Sequence, residues 1–233
     1  MQPLSLFSIL LLSTNLKILS SSTNPLLVCS TFLWLGCNML SVLFAQTDFF
    51  QCAFISSVST FHLGEYVLTR CFRPEIASFD SFLLNNSWQY TSCLLFSILE
   101  YSMRPFDLGL PHSVCHFGIT CTCFGLAIRF SAICTAKTGF THLVATEKKS
   151  THVLTTNGIY SFCRHPSYSG WFIWILGTQL ILGNFLCLMS FACITWTFFR
   201  HRIAYEELHL VRFFGQAYES YKDCVWSGIP GID

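Results

Sequence analysis

From Gly170 to Phe199 the chain runs for about 30 residues without a charge, and a Gly183-Asn184 pair sits near the middle. A bilayer-spanning helix needs about 20 mostly apolar residues, so this stretch is too long for one ordinary span and too short for two full ones. Gly followed by Asn is a turn signal. The stretch therefore predicts two short helices joined at Gly183-Asn184, a helical hairpin that enters the membrane and returns to the side it left.

The rest of the chain is apolar enough to accompany it. Hydrophobic residues make up 52% of the 233 residues and charged ones only 11%, against roughly a quarter charged in an ordinary soluble domain. Uncharged runs cover Ile18–Thr47 and Leu108–Ile128. With the apolar stretches between them, they predict membrane helices near Asn24–Gln46, Phe49–Thr69, Phe82–Met103 and His112–Ala136. The expected fold class is thus all-α, a polytopic transmembrane helical bundle. It divides into N-terminal transmembrane helices over residues 1–136 and a chemistry-bearing region over 137–233. That second region joins a cytosolic loop, the hairpin at 170–199 and a cytosolic C-terminal helix. Met1–Leu12 is apolar but lacks the basic leading residues of a signal peptide. A short first helix, an uncleaved anchor and the remnant of a longer chain are all compatible with it.

Basic residues agree with this topology. If the segments flanking the hairpin face the cytosol, that face receives Lys137, Lys148, Lys149, Arg164, Arg200, Arg202, Arg212 and Lys222. Counting helices backward adds Arg70, Arg73 and Lys17, and leaves Arg104 alone in an opposite loop, as the positive-inside rule requires. The sequon Asn85-Asn86-Ser87 then falls at a cytosolic helix start and is expected to be unglycosylated. A net charge of +1 gives no basis for nucleic-acid binding.

The 13 cysteines lie scattered, many inside apolar runs, with no spacing of a disulfide framework. Cys121-Thr122-Cys123 is too close and too embedded in an apolar helix for a zinc half-site, and no second ligand pair follows at finger spacing. His142 and His152 bracket a polar loop, but no carboxylate or cysteine stands at ligand spacing beside them. No metal site is expected.

Two constellations can carry chemistry. Arg164-His165-Pro166-Ser167-Tyr168-Ser169-Gly170-Trp171 opens the hairpin. It reads as a helix start, with Pro166 in the first turn and Ser167 helping to cap. It also gathers a guanidinium, an imidazole, a hydroxyl and an aromatic face at a helix N-terminus, where anionic groups are favoured. Arg202, Glu206 and His209 fall at i, i+4 and i+7, on one face of a helix. They read either as a solvated juxtamembrane face with an ordinary Arg–Glu pair or as a ligand site at the lipid boundary.

The motifs together resemble the protein-S-isoprenylcysteine O-methyltransferase family. The resemblance is carried by Gly158-Ile159-Tyr160, Arg164-His165-Pro166-Ser167-Tyr168, Gly170-Trp171-Phe172, Gly177-Thr178-Gln179, Arg202, Glu206-Glu207, Phe213-Phe214-Gly215, Tyr218, Tyr221 and Gly228-Ile229-Pro230. Upstream it extends through Phe61-His62, Glu65-Tyr66 and Ser81-Phe82-Leu83-Leu84-Asn85, so it covers roughly Phe49 to the end. Arg-His-Pro-x-Tyr-x-Gly alone is shared with sterol reductases and other membrane methyltransferases. Its combination with Gly-Thr-Gln and the Phe-Phe-Gly tail is more selective.

The resemblance implies methylation of the C-terminal carboxylate of a prenylated cysteine, farnesyl or geranylgeranyl, with S-adenosylmethionine, in the endoplasmic reticulum membrane. It assigns His152, Val153, Leu154, Thr155, Tyr160, His165, Pro166, Ser167, Tyr168 and Glu206 to the cofactor, and Arg202 to the substrate as the catalytic contact. A C-terminal carboxyl has a pKa of about 3.5, so the nucleophile is already ionised at neutral pH. Arg202 can then orient it, Glu206 can offset cofactor charge, and Tyr168 can offer a π face to the sulfonium. The prenyl chain, more soluble in lipid than in water, is expected to enter sideways between helices. Ala145 departs from the family pattern, which usually shows a glutamine there. The competing readings are a lipid methyltransferase or nicotinamide-dependent sterol-type reductase of the same fold, and a non-catalytic prenyl-binding homologue.

Overall fold

A computed structural model describes residues 49–84, 88–103, 110–148 and 152–233. The expectations for the first 48 residues, including the helix Asn24–Gln46, and for the sequon and the Arg104 loop lie outside these described residues. Those residues form helices α1 (Phe49–Phe72), α2 (Trp88–Met103), α3 (His112–Ala136), α4 (Pro166–Leu182), α5 (Phe185–Phe214) and α6 (Gln216–Cys224). Short 3-10 turns stand at Phe79–Phe82, Lys137–Gly139 and Gly158–Ser161. No strand occurs among the described residues.

The centre of the bundle is the antiparallel pair α3 and α4, which touch backbone to backbone. Gly118 and Gly125 lie one heptad apart on α3, as Gly170 and Gly177 do on α4. A Cβ on Gly125 would come within 2.6 Å of Trp174 N, and one on Gly170 within 2.6 Å of Arg129 N. Small residues at this interface let the helices approach closely, the usual means of packing where both the partner and the surroundings are apolar. α1 covers the pair through Phe61, whose ring stacks on Trp174 at 4.2 Å, and through Ser57, which accepts from Trp174 Nε1 at 2.9 Å.

α4 ends where the turn was expected. Gly183 takes the left-handed conformation, φ 68°. The amides of Gly183 and Asn184 return to the carbonyls of Leu180 and Gln179, each at 3.0 Å, a Schellman stop that glycine makes readily. Asn184 is buried and donates to Ser97 O of α2 at 2.8 Å. Glu100, also on α2, accepts from the amides of Leu186 (2.9 Å) and Cys187 (2.7 Å). A carboxylate there meets the positive end of α5. Gln179, from the Gly-Thr-Gln motif, is buried in this turn, where its Oε1 accepts from Asn184 Nδ2 at 3.3 Å.

Two boundaries differ from expectation. The helix foreseen over Phe82–Met103 is present over Trp88–Met103 but does not include Phe82. Phe82 instead closes a 3-10 turn in which Ser78 and Ser81 cap each other and Leu83 turns left-handed, φ 57°. Its ring is fully buried against Tyr66, centroids 4.2 Å apart. The polar C-terminal helix is also not a separate element after Phe199. α5 runs unbroken to Phe214, because nothing between Phe199 and Arg212 is a helix breaker. It carries the apolar arm straight into Arg202 and Glu206.

His112–Gly139 is the one continuous helical stretch among the described residues that is long and apolar enough to cross a membrane. Phe117 and Phe124 on it, Leu95, Phe96 and Ile98 on α2, and Leu186, Met189, Ile194 and Phe198 on α5 all face outward, exposed.

Candidate active site

Pro166 occupies the first turn of α4, where its missing N–H is not needed. Ser167 does not cap the helix as expected: the N-cap position falls on His165, which makes no side-chain cap bond. The Ser167 hydroxyl instead accepts from Arg129 Nη1 at 2.5 Å.

Arg164 and His165 turn toward a carboxylate of the protein itself. Arg164 Nε donates to Glu207 Oε1 at 2.9 Å, His165 Nε2 lies 3.1 Å from the same oxygen, and Lys222 Nζ donates to Oε2 at 2.6 Å. The anion favoured at this helix start is therefore Glu207 of α5. Burial pushes the Glu207 carboxyl up, but hydrogen bonds from His165 and Lys222 and the charges of His165 and Arg164 outweigh it and hold the group well below the usual carboxylate range. The C-terminal tail completes the clasp. The amides of Arg164 and His165 donate to the carbonyls of Trp226 (2.8 Å) and Ser227 (2.9 Å), and Ser169 Oγ donates to Gly228 O at 2.8 Å.

Tyr168, one turn in, is the joint between α4 and α5. Its hydroxyl accepts from Arg202 Nε at 2.9 Å and donates to Glu206 Oε2 at 2.5 Å. The simple Arg202–Glu206 pair that i, i+4 spacing allows is thus replaced by a chain through a phenol, because the α4 side chain inserts between the two. Burial, and then the neighbouring Glu206 carboxylate, push the Tyr168 hydroxyl up, so it stays protonated and remains the donor to Glu206. The ring stacks on His165 (5.6 Å) and Phe199 (4.9 Å) and lies under the Arg202 guanidinium at 5.5 Å. The π face expected to meet a sulfonium is therefore already shared with these groups. Arg202 Nη2 donates to His142 O at 2.5 Å, leaving Nη1 without a hydrogen bond among the described residues.

The other residues picked from the sequence divide. Tyr160 joins the cluster, its carbonyl accepting from Tyr221 OH at 2.6 Å. Pro166 and Ser167 are buried beneath it. His152 approaches the far end of α5, its ring 6.0 Å from Phe213, and Phe213 lies as far from His209. His209 is buried, and its Nδ1 has no partner among the described residues. Val153 is 78% exposed, while Leu154 and Thr155 are half-buried in a segment without regular structure.

Sequence reasoning missed one ion pair entirely. Glu65 of α1 and Arg129 of α3 meet at 2.7 Å with side-chain exposures of 0% and 6%. The signal was available, since each is a lone charge inside an apolar helix and such a residue marks function by default.

A bundle of apolar helices that gathers buried ion pairs and a guanidinium–phenol–carboxylate chain at one end is an all-helical membrane enzyme. The profile of the isoprenylcysteine carboxyl methyltransferase (ICMT) family matches residues 118–212. The chain is 43% identical over 187 residues to a protein-S-isoprenylcysteine O-methyltransferase of Dictyostelium discoideum, covering 77% of this chain and 76% of that one. To the enzyme of the same description from Homo sapiens it is 40% identical over 201 residues, 84% of this chain and 70% of that one. The solved structure of the eukaryotic intramembrane Ras methyltransferase ICMT superposes with a TM-score of 0.86 at 33% identity, covering 99% of this chain and 88% of that one. The chain belongs to the isoprenylcysteine carboxyl methyltransferase family.

Proposed function

We propose that this protein methylates the C-terminal carboxylate of a prenylated cysteine, with S-adenosylmethionine as donor. The observation that carries the reading is the chain Arg202 Nε, Tyr168 OH, Glu206 Oε2 at the mouth of α4 and α5. It sets a guanidinium with one terminal nitrogen to spare at a fixed distance from a carboxylate. The first suits an acceptor carboxylate and the second a cationic donor.

The residues fit such a donor. Leu154 and Thr155 are half-buried and make no main-chain hydrogen bond among the described residues, which leaves their amides open to a partner. Tyr160 and His165 supply rings, and Glu206 the anionic charge. Those two rings, Tyr168, Glu206 and the His152–Thr155 main chain are the groups that would hold it. Pro166 and Ser167 support them from below. When bound, S-adenosylmethionine supplies an electrophilic methyl group on a sulfonium. The acceptor carboxylate is ionised without help, so no general base is required. The work left to the protein is orientation and removal of water. Arg202 Nη1 holds one carboxylate oxygen by a charge-assisted hydrogen bond. Tyr168 prevents Arg202 from collapsing onto Glu206, and Phe198 and Phe199 dry the approach. Ala145 offers no hydrogen bond where the family pattern has a glutamine, a loss of about 0.5–1.5 kcal/mol in donor affinity.

The wider setting belongs to the same proposal. The outward-facing apolar side chains meet lipid, α4 and the apolar arm of α5 dip into the bilayer and return, and residues 137–169 and 200–233 face the cytosol at the endoplasmic reticulum. A farnesyl or geranylgeranyl chain then stays in lipid while its cysteine carboxylate reaches Arg202. The test is to incubate membranes containing the protein with radiolabelled S-adenosylmethionine and a farnesylcysteine or geranylgeranylcysteine analogue. Base-labile label in the product is expected, as from a methyl ester. Label that resists base, or none, overturns the reading in favour of lipid methylation or a non-catalytic role.

A further inference from the structure

A carboxylate in the middle of an apolar helix is costly unless it is paired, and Glu65 in α1 is fully buried. Its oxygens accept from Arg129 Nε at 2.7 Å and Nη2 at 3.1 Å. That fork aims the remaining nitrogen, Nη1, at Ser167, reaching its Oγ at 2.5 Å and its carbonyl at 3.3 Å. Ser167 immediately precedes Tyr168, whose hydroxyl accepts from Arg202 Nε. On the other side, His142 Nε2 lies 3.6 Å from Glu65 Oε2, and its carbonyl accepts from Arg202 Nη2. One path is continuous from Glu65 through Arg129, Ser167 and Tyr168 to Arg202; on the other, His142 stands beside Glu65 without a hydrogen bond from its Nε2 among the described residues.

A pair that served the bundle alone would end between α1 and α3. This one extends through Ser167 to Tyr168, whose hydroxyl holds Arg202. We propose that Glu65 is a positioning residue for methyl transfer, fixing from within the helical bundle the place of the Arg202 guanidinium and hence of the acceptor carboxylate. The inference rests on the acceptor role given to Arg202 above. Burial holds the His142 pKa below its ordinary value, with Glu65 opposing it and the charges of Arg129 and Arg202 adding to it, so two guanidinium groups share this corner with one buried carboxylate. Without the Glu65 charge, Arg129 loses its counter-ion and becomes a second cation able to draw the acceptor carboxylate off line. The acceptor still binds, but in the wrong place.

The test uses the full chain with Glu65→Gln, Glu65→Asp and the double variant Glu65→Met/Arg129→Met. Steady-state kinetics are run on a farnesylcysteine analogue, and S-adenosylmethionine affinity is measured separately by equilibrium binding. E65Q is expected to lower kcat by about 10–100-fold with KM unchanged or lower. Donor affinity should be unaffected, and E65D should recover part of the rate. If E65Q does not fold, the double variant takes its place, since apolar replacement of a buried pair is usually tolerated; it leaves no stray cation but removes the Arg129 contacts with Ser167, and kcat is expected to fall while donor affinity holds. A wild-type kcat in the folded variant, a loss carried by KM alone, or a parallel fall in donor affinity overturns the inference. A wild-type protein that labels no farnesylcysteine sinks the functional reading instead.

Discussion

A single oxygen, the Tyr168 hydroxyl, separates a cation from an anion that would otherwise neutralise each other. Tyr168→Phe keeps the ring and its stacking on His165 and Phe199 and removes only that oxygen. Arg202 is then free to pair with Glu206 directly, and Nη1 is no longer aimed. The expected outcome is a fall in kcat/KM of about 10–100-fold, or ~1.4–2.8 kcal/mol of transition-state stabilisation, with little change in thermal midpoint. Methyl-transfer kinetics beside a melting curve check it, and a Y168F variant with undiminished turnover contradicts it. At this scale the sequence named residues that the structure brings together, without their connections. Arg202 and Glu206 were legible because helical spacing puts them on one face, and Tyr168 because it follows a proline at a helix start. That a phenol stands between them depends on how α4 is rotated against α5, which no local pattern encodes. The same rotation sends Glu207, rather than its neighbour Glu206, to Arg164 and His165. The Glu65–Arg129 pair spans 64 residues of chain, and only the oddness of each charge in its own helix hinted at it.

The element that governs the architecture is the α3–α4 interface, and its tolerance is nearly zero. A side chain at Gly125 would meet the backbone of Trp174 at 2.6 Å and Gly170 O at 2.7 Å, atoms that cannot swing aside. Gly125→Leu should force the helices apart and cost about 2–3 kcal/mol or more, visible as a lower thermal midpoint in detergent and as loss of activity through displacement of Tyr168. Gly139→Ala is the control, since a Cβ there meets nothing within 4 Å, and it should stay within about 0.5 kcal/mol of wild type. Equal behaviour of the two variants would show that the close approach is not needed. Hydropathy and turn chemistry anticipated the helices well where they act alone: α3 spans His112–Ala136 as expected, and α4 stops at Gly183. They failed at Phe82, where a tertiary partner, the ring of Tyr66, holds an apolar residue in a 3-10 turn. They failed again beyond Phe199, where a change from apolar to charged surroundings was mistaken for a change of element. The glycines one heptad apart on α3 and α4 were in plain view but signify an interface only once the two helices are known to pair.

For the molecule as a whole, the Glu207 cluster decides whether its C-terminal third holds together, because it joins the start of α4, the polar end of α5, α6 and the tail. Two cations and an imidazole converge on this one carboxylate, and Arg164 is itself buried. Removing the charge leaves a buried guanidinium uncompensated, which typically costs 3–5 kcal/mol. The pH dependence follows from the direction of the shift. The folded state holds the Glu207 carboxyl below its ordinary value of 4.5, so as acid is added the unfolded chain takes up the proton first. The stabilisation is therefore complete above about pH 4.5 and is lost as pH falls through the lower, folded value. Glu207→Gln should accordingly melt well below wild type at neutral pH, and the two midpoints should draw together as the pH is taken down through 4.5. Thermal melts in detergent from pH 7 to the acid limit check this, with intrinsic S-adenosylmethionine affinity measured on the same samples. Because His165, on whose ring Tyr168 stacks, is anchored by the same contacts that hold the tail, donor affinity should fall in E207Q even where the protein is folded. Midpoints that stay parallel across the acid range would mean that Glu207 is not the ionised centre of this clasp, and that the tail is held by its backbone bonds to Arg164 and His165 alone.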